Sequence, residues 1–407
     1  MKICKMKTGR AAIKFQLQKV LTHFYRLISS GAISGVAVSG NETGKGSGIP
    51  QEVANSIWNQ RYRSQSASKQ KRGASKSDPI DYTLHPFLYA HSISKPLTGD
   101  PGKWWLDEVA QKYLVSMPAR LLSLGCGMAH PEEHLLKQGY VKYIVAYDTS
   151  QMSINAARER IRNTPWALRI ELRCGDPLDD GLESGSFDVV FVEAAIHHFI
   201  RIEEMFQMMH RVLKRDGLLI FDEYVGPDHH QYPPDLVQIL DALNACLALQ
   251  YRFDHLSSAP RESMIKPPLE FMLNYDPSEG VHASRILPLT YQYFDVIQRK
   301  NYGGAIMRPF FTGILPNFDF DDPKDQTVSR LIIFLEQELT RHGILPHHNT
   351  NVVARRRAVP RPPLSPSEME RIGYDHWKGP DWRIEGEDKN GKNNSDPPVR
   401  EMNTGKR

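Results

Sequence analysis

Short apolar segments alternate with helix-like segments between residues 101 and 225 of this 407-residue chain. The apolar segments are bounded by glycine or acidic residues, as buried strands are. Because strands that alternate with helices are joined by right-handed crossovers, the pattern predicts an α/β fold with a mostly parallel, Rossmann-like sheet and helices on both faces. The five predicted strands are the apolar start of RLLSLGCGMAH, which ends in a glycine turn, and KYIVAYD, LRIELRCGD, FDVVFVEAA and GLLIFDEYV. The predicted helices are PGKWWLDEVAQKYLVSM, HPEEHLLKQG, TSQMSINAARERIRN and RIEEMFQMMHRVLKRDG, the last ending at Gly217.

A glycine turn follows the first predicted strand. Gly125 and Gly127 allow the backbone to approach a ligand closely. Asp148 ends the second strand and could accept both hydroxyls of a ribose. In sheets of this type the ligand binds beyond the carboxyl ends of the strands. The strand ends that matter most are therefore Ser123–Gly127, Asp148, Gly175–Asp176, Glu193–His198 and Asp222–Tyr224.

The start of the next helix argues against a pyrophosphate ligand. His130 stands where a dinucleotide fingerprint has its third glycine, and Glu132 and Glu133 follow it. Two carboxylates at a helix start would repel a pyrophosphate. S-adenosylmethionine contains a ribose, an adenine and a sulfonium cation but no phosphate. The acidic strand ends therefore favour this cofactor and disfavour a dehydrogenase.

The same segments resemble class I S-adenosylmethionine-dependent methyltransferases in order and spacing. The resemblance is carried by LLSLGCGMAHPEEHLL, YIVAYDTSQMSINAAR, RCGDPLDDGLESGSFDVVFVEAAIHHF and MHRVLKRDGLLIFDEYVGP. A later stretch, YDPSEGVHASRILPLTYQYFDVIQRKNYGGAIMRPFFTGILPNF, is similar to bacterial methyltransferases found beside or fused to glycosyltransferases. The resemblance covers roughly residues 81–356. It implies an enzyme that uses S-adenosylmethionine as methyl donor.

This resemblance also implies which residues hold the cofactor. The glycine turn would pass under its methionine part, Asp148 would bind the ribose and Asp176 the adenine amino group. Ser123 departs from the family, because many members have an acid at that position. The methionine ammonium would then need another acceptor, such as a backbone carbonyl or Glu193. The predicted cofactor set is Ser123, Gly125, Cys126, Gly127, Asp148, Thr149, Gly175, Asp176, Pro177, Glu193 and Ala194.

Three residues near the fourth and fifth strand ends are candidates for catalysis. His197 and His198 have a side chain whose pKa lies near neutrality, so either could act as a general base. A local packing role is the alternative for one of them. Glu223 could orient or deprotonate an acceptor hydroxyl, or serve as a structural partner. No metal site is predicted, because the spacing of Asp228, His229 and His230 matches no standard set of ligands.

The segment after the fifth strand is too long for a simple loop. Residues from about 227 to 290 are predicted to form a helical cap, since LVQILDALNACLAL has a helical pattern. FDVIQRKN is the predicted sixth strand. NVVARRR is predicted as the last strand, at the edge of a seven-stranded sheet. The methyltransferase domain is thus expected at 81–356.

The two ends of the chain differ from this body in charge. Residues 1–80 carry a net charge of +11, residues 81–353 of −10 and residues 354–407 of +3. Residues 1–80 are predicted to be a basic, largely disordered extension, and 357–407 a disordered tail. The first 30 residues contain no acid and have helical periodicity. They could be a transit peptide, a helix that touches a membrane surface, or a non-functional extension.

An acidic body weighs against a nucleic-acid-binding core, which needs cations along a groove. The expected acceptor is an oxygen or nitrogen of a small molecule or glycan. The alternatives are a nucleic-acid methyltransferase anchored by the basic N-terminus, and a non-catalytic protein that only binds the cofactor. Four scattered cysteines and no long apolar run indicate a cytoplasmic protein without a transmembrane segment, unless the N-terminus targets an organelle. No oligomeric state is predicted.

Overall fold

The computed structural model describes residues 81–116, 119–264 and 266–372, and a seven-stranded sheet lies at its centre. The strand order is β3-β2-β1-β4-β5-β7-β6. Strands β1 to β5 are parallel, and β7 is antiparallel to both of its neighbours. The predicted mostly parallel, Rossmann-like sheet is confirmed. The strands are β1 (Arg120–Leu124), β2 (Tyr143–Asp148), β3 (Ile170–Cys174), β4 (Phe187–Glu193), β5 (Leu213–Tyr224), β6 (Phe294–Tyr302) and β7 (Asn349–Arg356).

The last strand is not at the edge of the sheet, so that prediction is wrong. Strand β7 lies between β5 and β6, and its first six residues are buried. Strands β5 and β6 run in the same direction, and β7 lies between them in the opposite direction. The apolar side chains of β7 therefore contact the helices on both faces of the sheet. Val353 packs on one face of the sheet, and Val352 and Ala354 on the other.

Within residues 81–116, 119–264 and 266–372, twelve α-helices accompany this sheet. One face is covered by α3, α4 and α5 and, further along, by α7, α10 and α11. The other face is covered by α6 and α9. The helices are α1 (Pro86–Tyr89), α2 (Lys95–Thr98), α3 (Trp105–Tyr113), α4 (His130–Lys137), α5 (Gln151–Ile161), α6 (Ile202–Val212), α7 (Pro234–Cys246), α8 (Leu269–Tyr275), α9 (Ile286–Tyr293), α10 (Met307–Phe311), α11 (Pro323–Arg341) and α12 (Pro366–Arg371).

The helix before β5 ends five residues earlier than the predicted end at Gly217. Helix α6 stops at Val212, and β5 already begins at Leu213. The next residues after Leu213 are charged and exposed, and their backbone follows the strand direction. Leu213 itself is buried beside Phe187 of β4, so tertiary packing overrides the local helical pattern.

The segment between β5 and β6 lies over the carboxyl ends of the strands. It contains α7, α8, α9 and a small hairpin of Phe253–Asp254 with Ala259–Pro260. Gly280 of this segment accepts a hydrogen bond from the His229 amide, which fixes the loop after β5 to the loop before α9. Part of the predicted cap thus adjoins the end of β5. No helix among the described residues has the length and apolar character needed to cross a membrane.

The chain beyond β7 differs from the predicted disordered tail at its beginning. Residues 357–372 pack on the body: the Arg361 amide donates to the Gln292 carbonyl, and Arg299 donates to the Ile372 carbonyl. Ser365 and Glu368 form a capping box at the start of α12. The predictions for residues 1–80 and for 373–407 concern residues outside the described ranges.

Candidate functional site

The glycine turn after β1 is held tightly against the loop after β4. Gly125 has a φ of +67°, and a Cβ at this position would lie 2.3 Å from Cβ of Ala195. Gly127 also has a positive φ of +52°, but a Cβ there would meet no atom within 4 Å. Glycine is therefore required at residue 125 by both conformation and space. At residue 127 only the conformation favours it.

Asp148 joins β2 to this turn through its carboxylate. Its Oδ2 accepts a hydrogen bond of 2.7 Å from the Gly127 amide, and its Oδ1 accepts one of 2.8 Å from the Ser150 amide. Burial raises the pKa of the Asp148 carboxyl, although both amides oppose the shift. Each carboxylate oxygen has a second lone pair, so the group can still accept hydrogen bonds from a ligand.

A buried carboxylate stands beside the serine that departs from the family pattern. The Ser123 hydroxyl donates to Oε1 of Glu132 over 2.5 Å. Glu132 is 1% exposed, and its Oε2 accepts no hydrogen bond within the described residues. Burial raises the pKa of this carboxyl to about 7, and the nearby Asp148 adds to the shift. The acid absent at residue 123 is thus supplied from the first turn of α4.

The remaining predicted cofactor residues lie along the same edge of the sheet. Oδ1 of Asp176 accepts a hydrogen bond from the Leu178 amide, and its Oδ2 lies 3.8 Å from the Arg201 guanidinium. Cys126 is buried, and its amide donates to the Tyr147 carbonyl. The strand ends bring together the predicted set, which also includes Thr149 and Gly175 after β2 and β3, Pro177, and Ala194 after β4, the last with a φ of +50°.

Two carboxyls adjoin where β4 and β5 end. Glu193 and Asp222 are register partners on these neighbouring strands. Burial, and then the Asp222 carboxylate, raises the pKa of Glu193 to about 8. Burial also raises the pKa of Asp222 to about 7, even though the Tyr302 hydroxyl donates to it over 2.7 Å. Such a pair is stabilised by a cation placed beside it.

Glu223 points into the loop that follows β4. Its Oε1 accepts hydrogen bonds of 2.5 Å from the amides of Ala195 and Ile196. Its Oε2 lies 2.6 Å from Nδ1 of His197. Burial lowers the pKa of this imidazole, but the Glu223 carboxylate outweighs burial and the pKa is raised. Both oxygens of Glu223 are thus used to hold the loop.

His198 and the cap meet beside this loop. The rings of His197 and His198 lie 4.2 Å apart, centroid to centroid. Nδ1 of His198 is 3.1 Å from the Ser278 hydroxyl, and its Nε2 is 3.8 Å from Glu279. The imidazoles pull the pKa of Glu279 well below its usual range, against the effect of its burial. The fold therefore places the two predicted catalytic histidines against an acid of the cap.

Comparison with known proteins agrees with this geometry. Residues 122–221 match the family model described as "Methyltransferase domain". The chain contains a class I S-adenosylmethionine-dependent methyltransferase domain. Its recognition from the sequence, and S-adenosylmethionine as the cofactor of the domain, are confirmed. The match ends before the later segment on which the narrower resemblance rests, and that subgroup stays a prediction.

The similarity to curated relatives extends over only part of this chain and part of each relative. The chain is 30% identical over 117 residues to the malonyl-[acyl-carrier protein] O-methyltransferase of Legionella pneumophila, which is 29% of this chain and 40% of that protein. It is 24% identical over 164 residues to the demethylmenaquinone methyltransferase of Desulfitobacterium hafniense, or 38% of this chain and 65% of that protein. The chain spans about 40% of the length of the first curated relatives it matches.

Among solved structures, the geranyl diphosphate C-methyltransferase from Streptomyces coelicolor is similar to this chain. The identity is 12% and the TM-score 0.35, with 61% of this chain and 74% of that chain covered.

The residues of the methyltransferase domain fit the cofactor. Among the described residues, one oxygen of Glu132 accepts no hydrogen bond, and burial raises the pKa of Glu193 and of Asp222 near the ends of β4 and β5. The ammonium and the sulfonium of the cofactor would place positive charge beside these carboxyls. The acidic edge also agrees with a ligand that has no phosphate.

Three residues of the site were missed by sequence reasoning. Glu132 was considered only as one of two carboxylates at a helix start that would repel a pyrophosphate, although its place in the first turn of α4 and the missing acid at Ser123 were both visible. Glu279 and Tyr302 come from segments more than 50 residues after the strand ends that they contact. No local pattern could have linked them to the site.

Proposed function

We propose that this chain transfers the methyl group of S-adenosylmethionine to an oxygen or nitrogen atom of a small molecule. The observation that carries the proposal is the connection of Asp148 to the glycine turn, beside the unpartnered carboxyl of Glu132. A carboxylate at the end of β2 suits the ribose hydroxyls, and a buried anion under the turn suits an ammonium group. Bound there, the cofactor supplies the methyl group as a sulfonium substituent.

The chain's own residues would orient the cofactor from three strand ends. We assign Asp148 to the ribose hydroxyls, Asp176 to the adenine amino group and Glu132 to the methionine ammonium. Ser123 holds one oxygen of Glu132, which leaves the other oxygen for the ammonium. Glu193 and Asp222 form a neighbouring wall of two carboxyls, and a cation beside them would favour their charged forms. Methyl transfer is an in-line displacement, so holding donor and acceptor in line is the main contribution of such a site.

The acceptor side of the site is proposed to lie at the loop after β4. Glu223 is assigned as a positioning residue, because its two oxygens are engaged by the loop amides and by His197. Nε2 of His197 and Nε2 of His198 are the atoms that this loop offers to an acceptor. Since Glu223 fixes the imidazole of His197, the loss of Glu223 would misplace the acceptor without touching the cofactor.

A small acceptor is favoured over a nucleic acid. The body between residues 81 and 353 has a net charge of −10, which repels phosphate backbones. By its name, the Legionella relative is an O-methyltransferase, in line with an oxygen acceptor. A glycan would also offer hydroxyl oxygens. A reducing compartment such as the cytoplasm fits the free state of Cys126, Cys174 and Cys246.

The test is calorimetric titration of S-adenosylmethionine and S-adenosylhomocysteine into the full chain. We expect micromolar binding that weakens about 10- to 100-fold in Asp148→Asn, because hydrogen bonds to a charged group contribute about 1.5–3 kcal/mol. Asp179→Asn is the matched control: this aspartate lies at the same edge but is exposed, and its loss should change the affinity less than about twofold.

Transfer itself is tested with a radiolabelled methyl donor and a panel of acceptors. Label in a hydroxylated or amino small molecule supports the proposal. Salt-sensitive labelling of RNA or DNA that disappears when residues 1–80 are removed would replace it with the nucleic-acid alternative. Cofactor binding without label in any acceptor would favour a protein that only binds the cofactor. Equal cofactor affinity of the parent and Asp148→Asn would contradict the site assignment.

A further inference from the structure

Three imidazoles converge on one carboxylate at the boundary between the sheet and the cap. Nε2 of His197 lies 3.9 Å from Oε1 of Glu279, and Nε2 of His198 lies 3.8 Å from Oε2. Nε2 of His230 lies 3.1 Å from Oε1 of the same carboxylate. The residues come from the loops after β4 and β5 and from the loop before α9. The fold thus gathers three nitrogens and a carboxylate from distant parts of the sequence.

The other ring nitrogen of each histidine is held by a second group. Nδ1 of His197 is 2.6 Å from Glu223, and Nδ1 of His198 is 3.1 Å from the Ser278 hydroxyl. Nδ1 of His230 is 3.3 Å from the Tyr232 hydroxyl. Imidazoles that ligate metals are held in this way, with one nitrogen on the metal and the other on a carboxylate, hydroxyl or carbonyl that fixes the tautomer and the ring orientation.

We propose that His197, His198 and Glu279 bind one divalent first-row transition metal ion, with His230 within reach as a fourth ligand. The ligand atoms of the first three residues all lie within 4.8 Å of one another. In a tetrahedral site with bonds of about 2.0–2.2 Å, ligand atoms are roughly 3.3–3.6 Å apart. The carboxylate-to-imidazole distances exceed this by about half an ångström, which rotation of the side chains can close.

The residue types narrow the choice of metal. Imidazole nitrogen combined with one carboxylate suits zinc, iron(II) and manganese(II), whereas magnesium and calcium prefer oxygen ligands throughout. Zn²⁺ is the chosen probe, because it binds such sets without redox chemistry. The sequence prediction of no metal site considered only residues 228–230. Of these, His230 alone belongs to the proposed set, while His229 contacts the backbone carbonyl of Glu279 instead of its carboxylate.

Charges around the cluster permit a cation. The guanidinium of Arg308, whose charge acts on His197 and His230, is paired with Asp81 at 3.1 Å and lies over the Tyr224 ring. Two carboxylates, Glu223 and Glu279, face the imidazoles from opposite sides. A divalent ion bound here would therefore lie near two carboxylates, and the positive charge of Arg308 is offset by Asp81.

If the proposed function holds, the metal would lie on the acceptor side of the site. Three protein ligands in a tetrahedral site, or four in a five-coordinate site, leave a coordination position for an oxygen of the acceptor, such as a hydroxyl or a carboxylate. The metal would then select acceptors with an oxygen ligand and hold that oxygen in place. The metal-binding test below uses neither cofactor nor acceptor, so its outcome is independent of the proposed methyl transfer.

The experiment is titration of Zn²⁺ into the full chain after removal of metals with a chelator and of any affinity tag. We expect one equivalent to bind with micromolar or tighter affinity. Glu279→Gln keeps the shape of the side chain but loses the anionic ligand, and His198→Ala removes an imidazole. Each should weaken binding at least 10-fold. His229→Ala is the matched control, since it removes a neighbouring imidazole outside the set, and should bind as the parent does.

A second measurement follows the geometry of the site directly. Co²⁺ bound to nitrogen and oxygen ligands in a four- or five-coordinate site gives visible absorption bands, which we expect in the parent and in His229→Ala but not in Glu279→Gln. Thermal melts of each variant without metal establish that it is folded. Absence of Zn²⁺ binding at 100 µM metal, or equal affinity in the parent and both ligand variants, would overturn the proposal.

Discussion

The two ends of the carboxyl edge of the sheet are built differently. At β1 to β3, the residues proposed to hold the cofactor lie within residues 123–177, and the carboxylate of Asp148 is fixed by the backbone amides of Gly127 and Ser150. At β4 and β5, side chains contact partners from the cap and from β6, as His198 contacts Ser278 and Asp222 contacts Tyr302. A ligand common to a family can be held by a local motif. An acceptor specific to one protein needs residues that only tertiary packing brings together.

A close contact between the glycine turn and the loop after β4 joins these two regions. Gly125 of the glycine turn lies against Ala195 of the loop after β4. The Ala195 amide is held in turn by Glu223. The position of the turn and the position of the acceptor-side loop are therefore coupled through main-chain packing.

The largest effect is expected from Gly125→Ala. A left-handed conformation costs an alanine about 1–2 kcal/mol, and the clash with Ala195 adds about 1–3 kcal/mol of overpacking. We expect the free energy of unfolding to fall by about 3 kcal/mol, measured by urea denaturation, and cofactor binding to be lost. Gly127→Ala is the control. Its Cβ has free space, so a loss of only about 1 kcal/mol is expected. Equal losses in both variants would show that the two regions are not coupled at residue 125.

The second-largest effect is expected from the buried carboxyl of Glu132, which makes the free energy of unfolding depend on pH. The pKa of Glu132 is raised from 4.5 to about 7 in the folded chain, because burial outweighs the Ser123 hydrogen bond and Arg160, and Asp148 adds to the shift. As the pH rises from about 4.5 to 7, the unfolded chain releases this proton first, so the folded state loses stability. The loss amounts to about 3 kcal/mol at neutral pH.

Glu132→Gln removes this titration. We expect the variant to become progressively more stable than the parent between pH 4.5 and 7, measured by urea denaturation, and to bind S-adenosylmethionine about 10-fold more weakly at pH 7. A stability difference that does not change with pH would contradict the buried acid. Unchanged cofactor affinity would contradict its assignment to the ammonium. Ser123→Asp in the Glu132→Gln background restores an acid at the position the family uses and should recover part of the affinity.

Glu223→Gln tests the acceptor side. The amide of glutamine cannot accept hydrogen bonds from two backbone amides and from His197 at once, so one buried donor is left unpaired. This costs about 1–3 kcal/mol. We expect the unfolding free energy to fall by about 2 kcal/mol and methyl transfer to fall at least 10-fold, whereas S-adenosylmethionine affinity changes less than threefold. A loss of cofactor affinity as large as in Asp148→Asn would mean that the two regions do not act separately.

The same division explains what the sequence could and could not predict. The five parallel strands, the glycine turn and Asp148 all follow from short-range patterns of apolar residues, glycines and acids. The position of β7 does not, because a buried strand reads alike at any interior place in a sheet. The end of α6 at Val212 depends on the packing of Leu213 beside Phe187, which helical periodicity does not record.

The candidate site shows this limit most clearly at its acids. Glu132 and Glu223 are each 1% exposed, yet a glutamate carries the same sequence signal on a surface and in a core. Glu223 was placed near the site by its strand, but its partners in the loop after β4 were not foreseen. Glu279 needed the cap to fold back over β5. Local sequence thus predicted the residues of the proposed cofactor edge, whereas the proposed acceptor edge required the tertiary structure.

Tyr302→Phe is the smallest perturbation and separates the two edges most finely. The Tyr302 hydroxyl donates to Oδ2 of Asp222, and the Asn351 amide lies 3.4 Å from Oδ1. Loss of this hydrogen bond should lower the unfolding free energy by about 1 kcal/mol. It should also raise the pKa of Asp222 further, because the hydrogen bond favours the charged carboxylate.

A more protonated Asp222 is a weaker anionic partner for a sulfonium. We therefore expect S-adenosylmethionine, which is cationic at sulfur, to lose two- to threefold in affinity near pH 7, while S-adenosylhomocysteine, which has a neutral thioether, loses none. Calorimetric titration of both ligands into Tyr302→Phe and the parent measures the difference directly, and an equal change for the two ligands would place Asp222 away from the sulfonium.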